Sequence, residues 1–87
     1  MPTVFIPPLL RNLTGGQDVV VIDGQSVREL IEQLDQRFPG IHGRLIENGH
    51  LRSGLSVAIG TKVSSRGLSS KTQPEDEVHF LPAIGGG

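Results

Sequence analysis

The stretch that decides the fold is "SVRELIEQLDQRF", residues 26–38. Ser26 is a favourable N-cap residue, and Glu29 follows three positions later, which is the pattern of a capping box. A single apolar stripe recurs at helical spacing through Val27, Leu30, Ile31, Leu34 and Phe38. Pro39 and Gly40 then end the segment. The stretch therefore predicts one amphipathic helix whose apolar face must be buried against another element.

Segments rich in β-branched and aromatic residues lie on both sides of this helix and supply its packing partner. We predict strands at residues 3–6, 18–22, 55–59 and 78–81, with a short return strand beginning at Val63. Residues 40–54 are expected to be irregular, with one short helical turn formed by Ile41, Leu45 and Ile46. This order of elements predicts an α+β domain: a four- to five-stranded mixed sheet with one main helix across one face. We expect the first and last strands to lie side by side at its centre.

Composition excludes several classes of protein. The chain has 87 residues, which is the size of one domain, and its formal net charge of −1 gives no basic surface for nucleic acid. It contains no cysteine, so disulfides, thiolate metal sites and a thiol nucleophile are excluded. No apolar run approaches the length of a membrane span, and the prolines near the start do not fit a signal peptide. We expect a cytoplasmic protein.

No set of catalytic or metal-ligating residues is visible inside the chain. The three histidines, His42, His50 and His79, lack metal-ligand spacing, and the serines do not lie in a nucleophile elbow. The acidic residues 75–77 are typical of a turn before the last strand. We therefore expect neither a metal site nor an internal active site, and we do not expect the protein to be an enzyme by itself.

The chain ends in "PAIGGG", residues 82–87, directly after the last predicted strand. Such an end can be a frayed terminus, but Pro82 favours an extended course, and six extended residues reach about 20 Å. Glycine has no Cβ, so a narrow channel in a partner can close around its backbone. We predict a folded domain over residues 1–81 and a flexible C-terminal tail over residues 82–87 that carries the Gly87 carboxylate.

Four stretches together resemble the ubiquitin-like sulfur carrier proteins of the MoaD/ThiS superfamily. They are "IPPLLRNLTGGQ", "VRELIEQLDQRFPGI", "LRSGLSVAIGTKV" and the most specific one, "PEDEVHFLPAIGGG". The chain departs from the usual pattern at the turns 59–62 and 74–77 and at Gly85, but it retains the terminal Gly86 and Gly87. The resemblance implies a β-grasp fold.

The same resemblance implies that an E1-like enzyme adenylates Gly87 with ATP and Mg²⁺, and that a sulfur donor then forms a thiocarboxylate. The carrier itself would bind no cofactor and would act as a protein co-substrate. Residues expected to enter the partner are Pro82, Ala83, Ile84, Gly85 and Gly86. Strand alternation also places Phe5 and Leu81 opposite the core-facing side chains, as a candidate partner patch beside the tail.

Three hypotheses about function stay open. The first is a sulfur carrier whose acceptor is a cysteine-type or related biosynthetic synthase. The next candidate acceptor is the one in molybdopterin synthesis, and the chain would then be the small subunit of a synthase. The second is a ubiquitin-like modifier conjugated through Gly87. The third is a non-catalytic interaction domain with a passive tail.

Overall fold

The structure, a computed structural model, describes residues 1–82. The chain runs through β1 (Thr3–Phe5), β2 (Val19–Val21), α1 (Val27–Arg37), α2 (Ile41–Leu45), β3 (Ile46–Glu47), β4 (His50–Leu51), β5 (Leu55–Ile59), β6 (Lys62–Val63) and β7 (Glu77–Pro82). Two short 3-10 turns lie at Pro8–Leu10 and Gly67–Ser69.

Five strands form one mixed sheet in the order β2-β1-β7-β5-β6. The two central strands, β1 and β7, are parallel, and every other pair in this sheet is antiparallel. The predicted α+β class and the central pairing of the first and last strands are therefore confirmed. This pairing sets the first strand of the chain beside the last one in the interior of the sheet.

Helix α1 begins where its capping residues require. The Ser26 Oγ accepts a hydrogen bond from the Glu29 amide at 3.2 Å, as the capping box predicts. The Glu29 carboxylate reaches one residue further back than expected and accepts from the Gln25 amide at 3.1 Å. The first bond satisfies an amide that the first helical turn leaves without a partner. The second ties the residue before the N-cap to the helix, so the start of α1 is defined locally.

The core lies between α1 and one face of the sheet. Val27, Leu30, Ile31 and Leu34 of the predicted stripe are fully buried, and Phe38 is partly buried against the same cluster. The sheet contributes its alternate residues, which are Val4, Ile6, Val20, Val57, Val78 and Phe80. Full burial of one such aliphatic side chain contributes about 1.5–3 kcal/mol, so the helix–sheet contact is the main source of stability.

The connection from α1 to α2 is held by Asp35. Its Oδ1 accepts hydrogen bonds from the Gly40 amide at 3.1 Å and the His42 amide at 3.0 Å. The bond from the His42 amide, aided by that from Gly40, lowers the pKa of the Asp35 carboxyl below its ordinary value. Gly40 has a φ of 106°, a left-handed conformation that glycine adopts without strain. This connection therefore sets the direction of α2.

Residues 46–51 form a small hairpin that the sequence interpretation missed. Glu47 pairs with His50, and the two-residue loop between them is Asn48-Gly49, with φ values of 56° and 78°. Positive φ at both positions is the geometry of a type I′ turn, for which Asn-Gly is a favoured sequence. The signal was present in the sequence, but each strand is only two residues long and shows no alternation.

Candidate functional site

Strand β7, the last strand before the predicted tail, is paired along both of its edges. Strand β7 is hydrogen-bonded to β1 on one side and to β5 on the other, and the β5 pairing extends from Ile59↔Val78 to Leu55↔Pro82. The strand thus runs one residue further at each end than predicted. Pro82, predicted as the first residue of the tail, is the last residue of β7 and pairs with Leu55. The predicted residues Ala83, Ile84, Gly85, Gly86 and Gly87 lie outside the described residues.

The sheet face opposite α1 carries apolar side chains across its full width. One row passes over all five strands in the order Val19, Phe5, His79, Ala58 and Val63. Val19 is 40% exposed and Val63 is 64% exposed, whereas core residues on the other face are almost fully buried. The exposed apolar side chains of this row lie on the two edge strands, whereas Ala58 is buried and His79 is polar.

Phe5 and His79 form the centre of this row. Their rings stack with centroids 4.2 Å apart and planes inclined by 10°. The His79 Nε2 also lies 3.7 Å from the Glu77 carboxylate. Alternation predicted that His79 points away from the core, but it did not predict the stack, because the stack depends on the parallel register Phe5↔His79. The ring covers part of Phe5, which is half-buried.

Leu81, the second residue of the predicted patch, lies on the same face two positions beyond His79. It pairs with Ser56 and is 37% exposed. We call Phe5, His79 and Leu81 the sheet patch. Leu81 is one residue from the end of β7, so the sheet patch reaches from the centre of the open face to the start of the tail.

Two cavities of similar size lie at opposite ends of β7. One, of about 510 Å³, is polar and lies near the beginning of the strand beside Ser26, Lys71 and Thr72. The other, of about 480 Å³, is apolar and lies where β7 ends, with Leu55, Phe80 and Leu81 in its wall. Only the second adjoins the start of the tail.

Residues 1–82 contain no group of three or more histidine and carboxylate side chains arranged to hold a metal ion. None of the helices in the described part of the chain has the length and hydrophobicity that a membrane crossing requires.

The turn before β7 is as predicted, since Asp76 Oδ2 accepts a hydrogen bond from the Gln73 amide at 2.7 Å. The chemically relevant features that remain are the sheet patch, the apolar cavity and the tail.

Comparison with known proteins identifies the family. The chain matches the ThiS family model over residues 4–87, a range that includes the Gly86-Gly87 end. It belongs to the ThiS family. The resemblance to the ubiquitin-like MoaD/ThiS superfamily is thereby confirmed.

Similar proteins match this ThiS-family chain over nearly its whole length. The sulfur carrier protein CysO of Mycobacterium tuberculosis is 33% identical over 90 residues, covering 98% of this chain and 97% of its own. A chain in the crystal structure of the Amycolatopsis orientalis BexX/CysO complex superimposes with a TM-score of 0.88 at 33% identity, with both chains covered completely. The crystal structure of M. tuberculosis CysO gives a TM-score of 0.89 at 31% identity and covers 97% of this chain and 100% of that one. These likenesses agree with the β-grasp fold.

Proposed function

We propose that this protein is a sulfur carrier that works through the carboxylate of Gly87. The observation that carries the proposal is the match to the ThiS family through the terminal Gly86-Gly87, together with whole-length similarity to a protein named as a sulfur carrier. A chain without cysteine cannot carry sulfur on a side-chain thiol. The terminal carboxylate is therefore the group to which sulfur would be attached.

The proposed chemistry has two steps, both in a partner's active site. An E1-like enzyme joins the Gly87 carboxylate to the α-phosphate of ATP, with Mg²⁺, and pyrophosphate leaves. A sulfide-equivalent nucleophile then attacks the acyl carbon of the adenylate, AMP leaves, and a thiocarboxylate results. The resting carboxylate is a poor electrophile, and adenylation supplies the good leaving group. The carrier contributes the acyl group and the surface that the partner recognises.

The described domain is suited to presenting a tail. Strand β7 is paired on both sides and its pairing continues to Pro82, so the base of the tail is fixed in direction before a partner binds. Residues 83–86 would pass through a partner's channel, and the sheet patch of Phe5, His79 and Leu81 would contact the partner beside its entrance. Preorganised apolar area next to a reactive terminus supports a docking role.

The proposed acceptor is a cysteine-type or related biosynthetic synthase, with molybdopterin synthesis as the next hypothesis. The opening "IPPLLRNLTGGQ" suggested the first acceptor, and similarity to the CysO carriers over the whole chain supports it. The proposed partners are accordingly the activating enzyme, a sulfur donor and the accepting synthase.

The decisive experiment is intact mass spectrometry after incubation with the E1-like enzyme from the same organism, ATP, Mg²⁺ and a sulfide source. We expect a gain equal to replacement of one oxygen by sulfur, and no gain in a chain that lacks Gly86 and Gly87. Unchanged mass with the chain attached to lysines of other proteins would favour a modifier instead. If neither the thiocarboxylate nor a conjugate forms, and the chain without the two glycines still binds the partner fully, an interaction domain would be favoured.

The sheet patch can be tested separately from the chemistry. Leu81→Asp places a charge on the partner side of the sheet, and we expect its main effect on the KM for the carrier in the activation reaction. Val63→Asp is the matched control, because Val63 is on the same face but on the far edge strand and is 64% exposed. Equal effects of the two substitutions would argue against a patch centred on β7.

A further inference from the structure

The apolar cavity at the end of β7 is built as a groove with a defined floor and rim. Its floor contains Leu10, Leu45, Leu55 and Phe80, contributed by four separate parts of the chain. Leu10, Leu45 and Phe80 also belong to the buried core, so this surface is rigidly supported. We call the cavity the end groove. It opens beside Leu81, the last residue of the sheet patch.

Leu9 stands at the rim of the end groove and has no evident role in folding. It is 86% exposed, the highest value among the large apolar side chains of residues 1–82. It lies in the 3-10 turn Pro8–Leu10, which is preceded by Pro7 and closed by a bond from the Leu10 amide to the Pro7 carbonyl at 2.9 Å. Two prolines restrict this backbone, so the position of the Leu9 Cα is fixed before a ligand binds.

Arginines form the opposite side of the rim. Arg44 and Arg52 line the end groove and also a smaller adjoining cavity of about 290 Å³. The Arg52 Nη1 donates to the Gly43 carbonyl at 3.2 Å, which positions its guanidinium, and Nη2 lies 3.9 Å from the exposed Glu47 carboxylate. Arg44 has no ion-pair partner among residues 1–82.

The described residues that line the end groove include no acidic side chain. The groove therefore presents two guanidinium groups, of which Arg52 is paired with Glu47 and Arg44 is not paired among residues 1–82, in a chain whose net charge is −1. Exposed guanidinium groups beside an apolar cleft fit a ligand that combines an apolar side chain with carboxylates, because arginine binds carboxylates through paired N–H donors. A purely apolar ligand would leave the Arg44 guanidinium without a carboxylate partner.

We propose that the end groove binds a segment of a partner protein that carries a large apolar side chain followed by acidic residues. The apolar side chain lies on Leu10, Leu45 and Phe80, Leu9 covers it, and the carboxylates meet Arg44 and Arg52. The proposal deepens the carrier function and rests on it for the partner's identity: an enzyme that accepts the tail also faces the groove at the tail's base. The binding itself requires no sulfur chemistry.

The test is an amide NMR titration of the full chain with three short peptides. The probe is acetyl-Leu-Phe-Glu-Glu-amide, and the comparison peptides replace either the two acidic residues by lysine or the two apolar residues by serine. We expect saturable shifts at Leu9, Leu10, Arg44 and Leu45 with the probe. Each comparison peptide should bind roughly tenfold more weakly, as loss of two exposed charge pairs or of the apolar anchor implies.

Charge-reversal variants distinguish binding in the end groove from general electrostatic attraction to the chain. Arg44→Glu should weaken binding of the probe and strengthen binding of the lysine peptide. Arg28→Glu makes the same charge change on the exposed face of α1 and should alter the affinity for neither peptide. Leu9→Ser should weaken the probe without changing the thermal midpoint of unfolding. Equal effects of Arg44→Glu and Arg28→Glu, or shifts confined to other surfaces, would overturn the proposal.

Two further outcomes have distinct meanings. If removal of residues 83–87 shifts the same groove signals and raises the affinity for the probe, the chain's own tail competes for the site and a partner segment is not its natural occupant. If the probe binds as expected but no thiocarboxylate forms with the activating enzyme, the end groove stands and the carrier function fails. Thiocarboxylate formation without probe binding rejects the groove alone.

Discussion

Replacing Leu34 by alanine tests whether the helix–sheet contact holds the domain together. Leu34 is fully buried in the apolar stripe of α1, within the core cluster that α1 shares with the sheet. Leucine-to-alanine changes at such sites cost about 2.7–5.0 kcal/mol, the upper values applying where a cavity remains. We expect a loss of about 3–4 kcal/mol. At about 0.1 kcal/mol per residue, this chain would have a free energy of unfolding near 9 kcal/mol, so the variant should still fold.

Urea unfolding followed by far-ultraviolet circular dichroism measures this loss, since the chain has no tryptophan or tyrosine for fluorescence. With a slope of about 1–1.5 kcal/mol per molar urea for a domain of this size, the midpoint should fall by roughly 2–4 M. The thermal midpoint should fall by roughly 15–25 °C. An unchanged slope would show that the folded variant retains its compactness.

Leu9→Ala is the matched control, because it removes the same atoms from a side chain that is 86% exposed. Its effect should stay within about 0.5 kcal/mol. A loss below about 1 kcal/mol for Leu34→Ala, or equal losses for the two variants, would refute the argument that α1 is held by burial of its stripe.

Three further substitutions test local interactions: the helix cap, the close packing at Gly24 and the hydrogen bonds of Asp35. Ser26→Ala removes the acceptor of the Glu29 amide and should cost about 1 kcal/mol in urea unfolding, whereas the exposed Ser65→Ala should cost nothing measurable. Gly24→Ala would place a Cβ 2.7 Å from Leu30 Cδ2 and 3.0 Å from its amide nitrogen, and should destabilise by roughly 1–3 kcal/mol. Gly43→Ala, with nothing within 4 Å, should be neutral or stabilising, and similar losses at the two glycines would contradict the contact. Asp35→Asn should lower stability most near neutral pH. The pKa of this carboxyl is lowered by folding, so its contribution exists above the unfolded pKa and disappears as pH falls through the folded one. A difference from wild type that is constant with pH would contradict this assignment.

Elements with a strong local pattern were predicted well. Helix α1 has a cap, a five-residue apolar stripe and a Pro-Gly stop, and it forms between Val27 and Arg37. The small hairpin at residues 46–51 was missed because its strands are too short to show alternation, although its Asn48-Gly49 turn was visible. Alternation placed Phe5 and Leu81 on the face opposite the core, and the structure shows them there with Leu81 37% exposed.

The arrangement of the candidate site depended on contacts that no local pattern contains. His79 was predicted as a solvent-facing side chain, and its stack with Phe5 arises because parallel pairing sets residues 74 positions apart side by side. The end groove combines Leu10, Leu45 and Phe80 from three separate elements, and none of them carries a motif. Sequence could identify candidate residues, but not which of them share a surface.

The sequence by itself determined the main helix with its termini, the longer strands, the absence of cysteine and the Gly86-Gly87 ending, because each follows from residue type or from short-range periodicity. Only the tertiary structure decided the strand order, the row of side chains over the open face and the groove beside Leu81. The physical reason is range: a helix or a turn is specified by neighbours a few residues apart. A sheet surface is specified by the register between distant strands, which burial of the whole core selects.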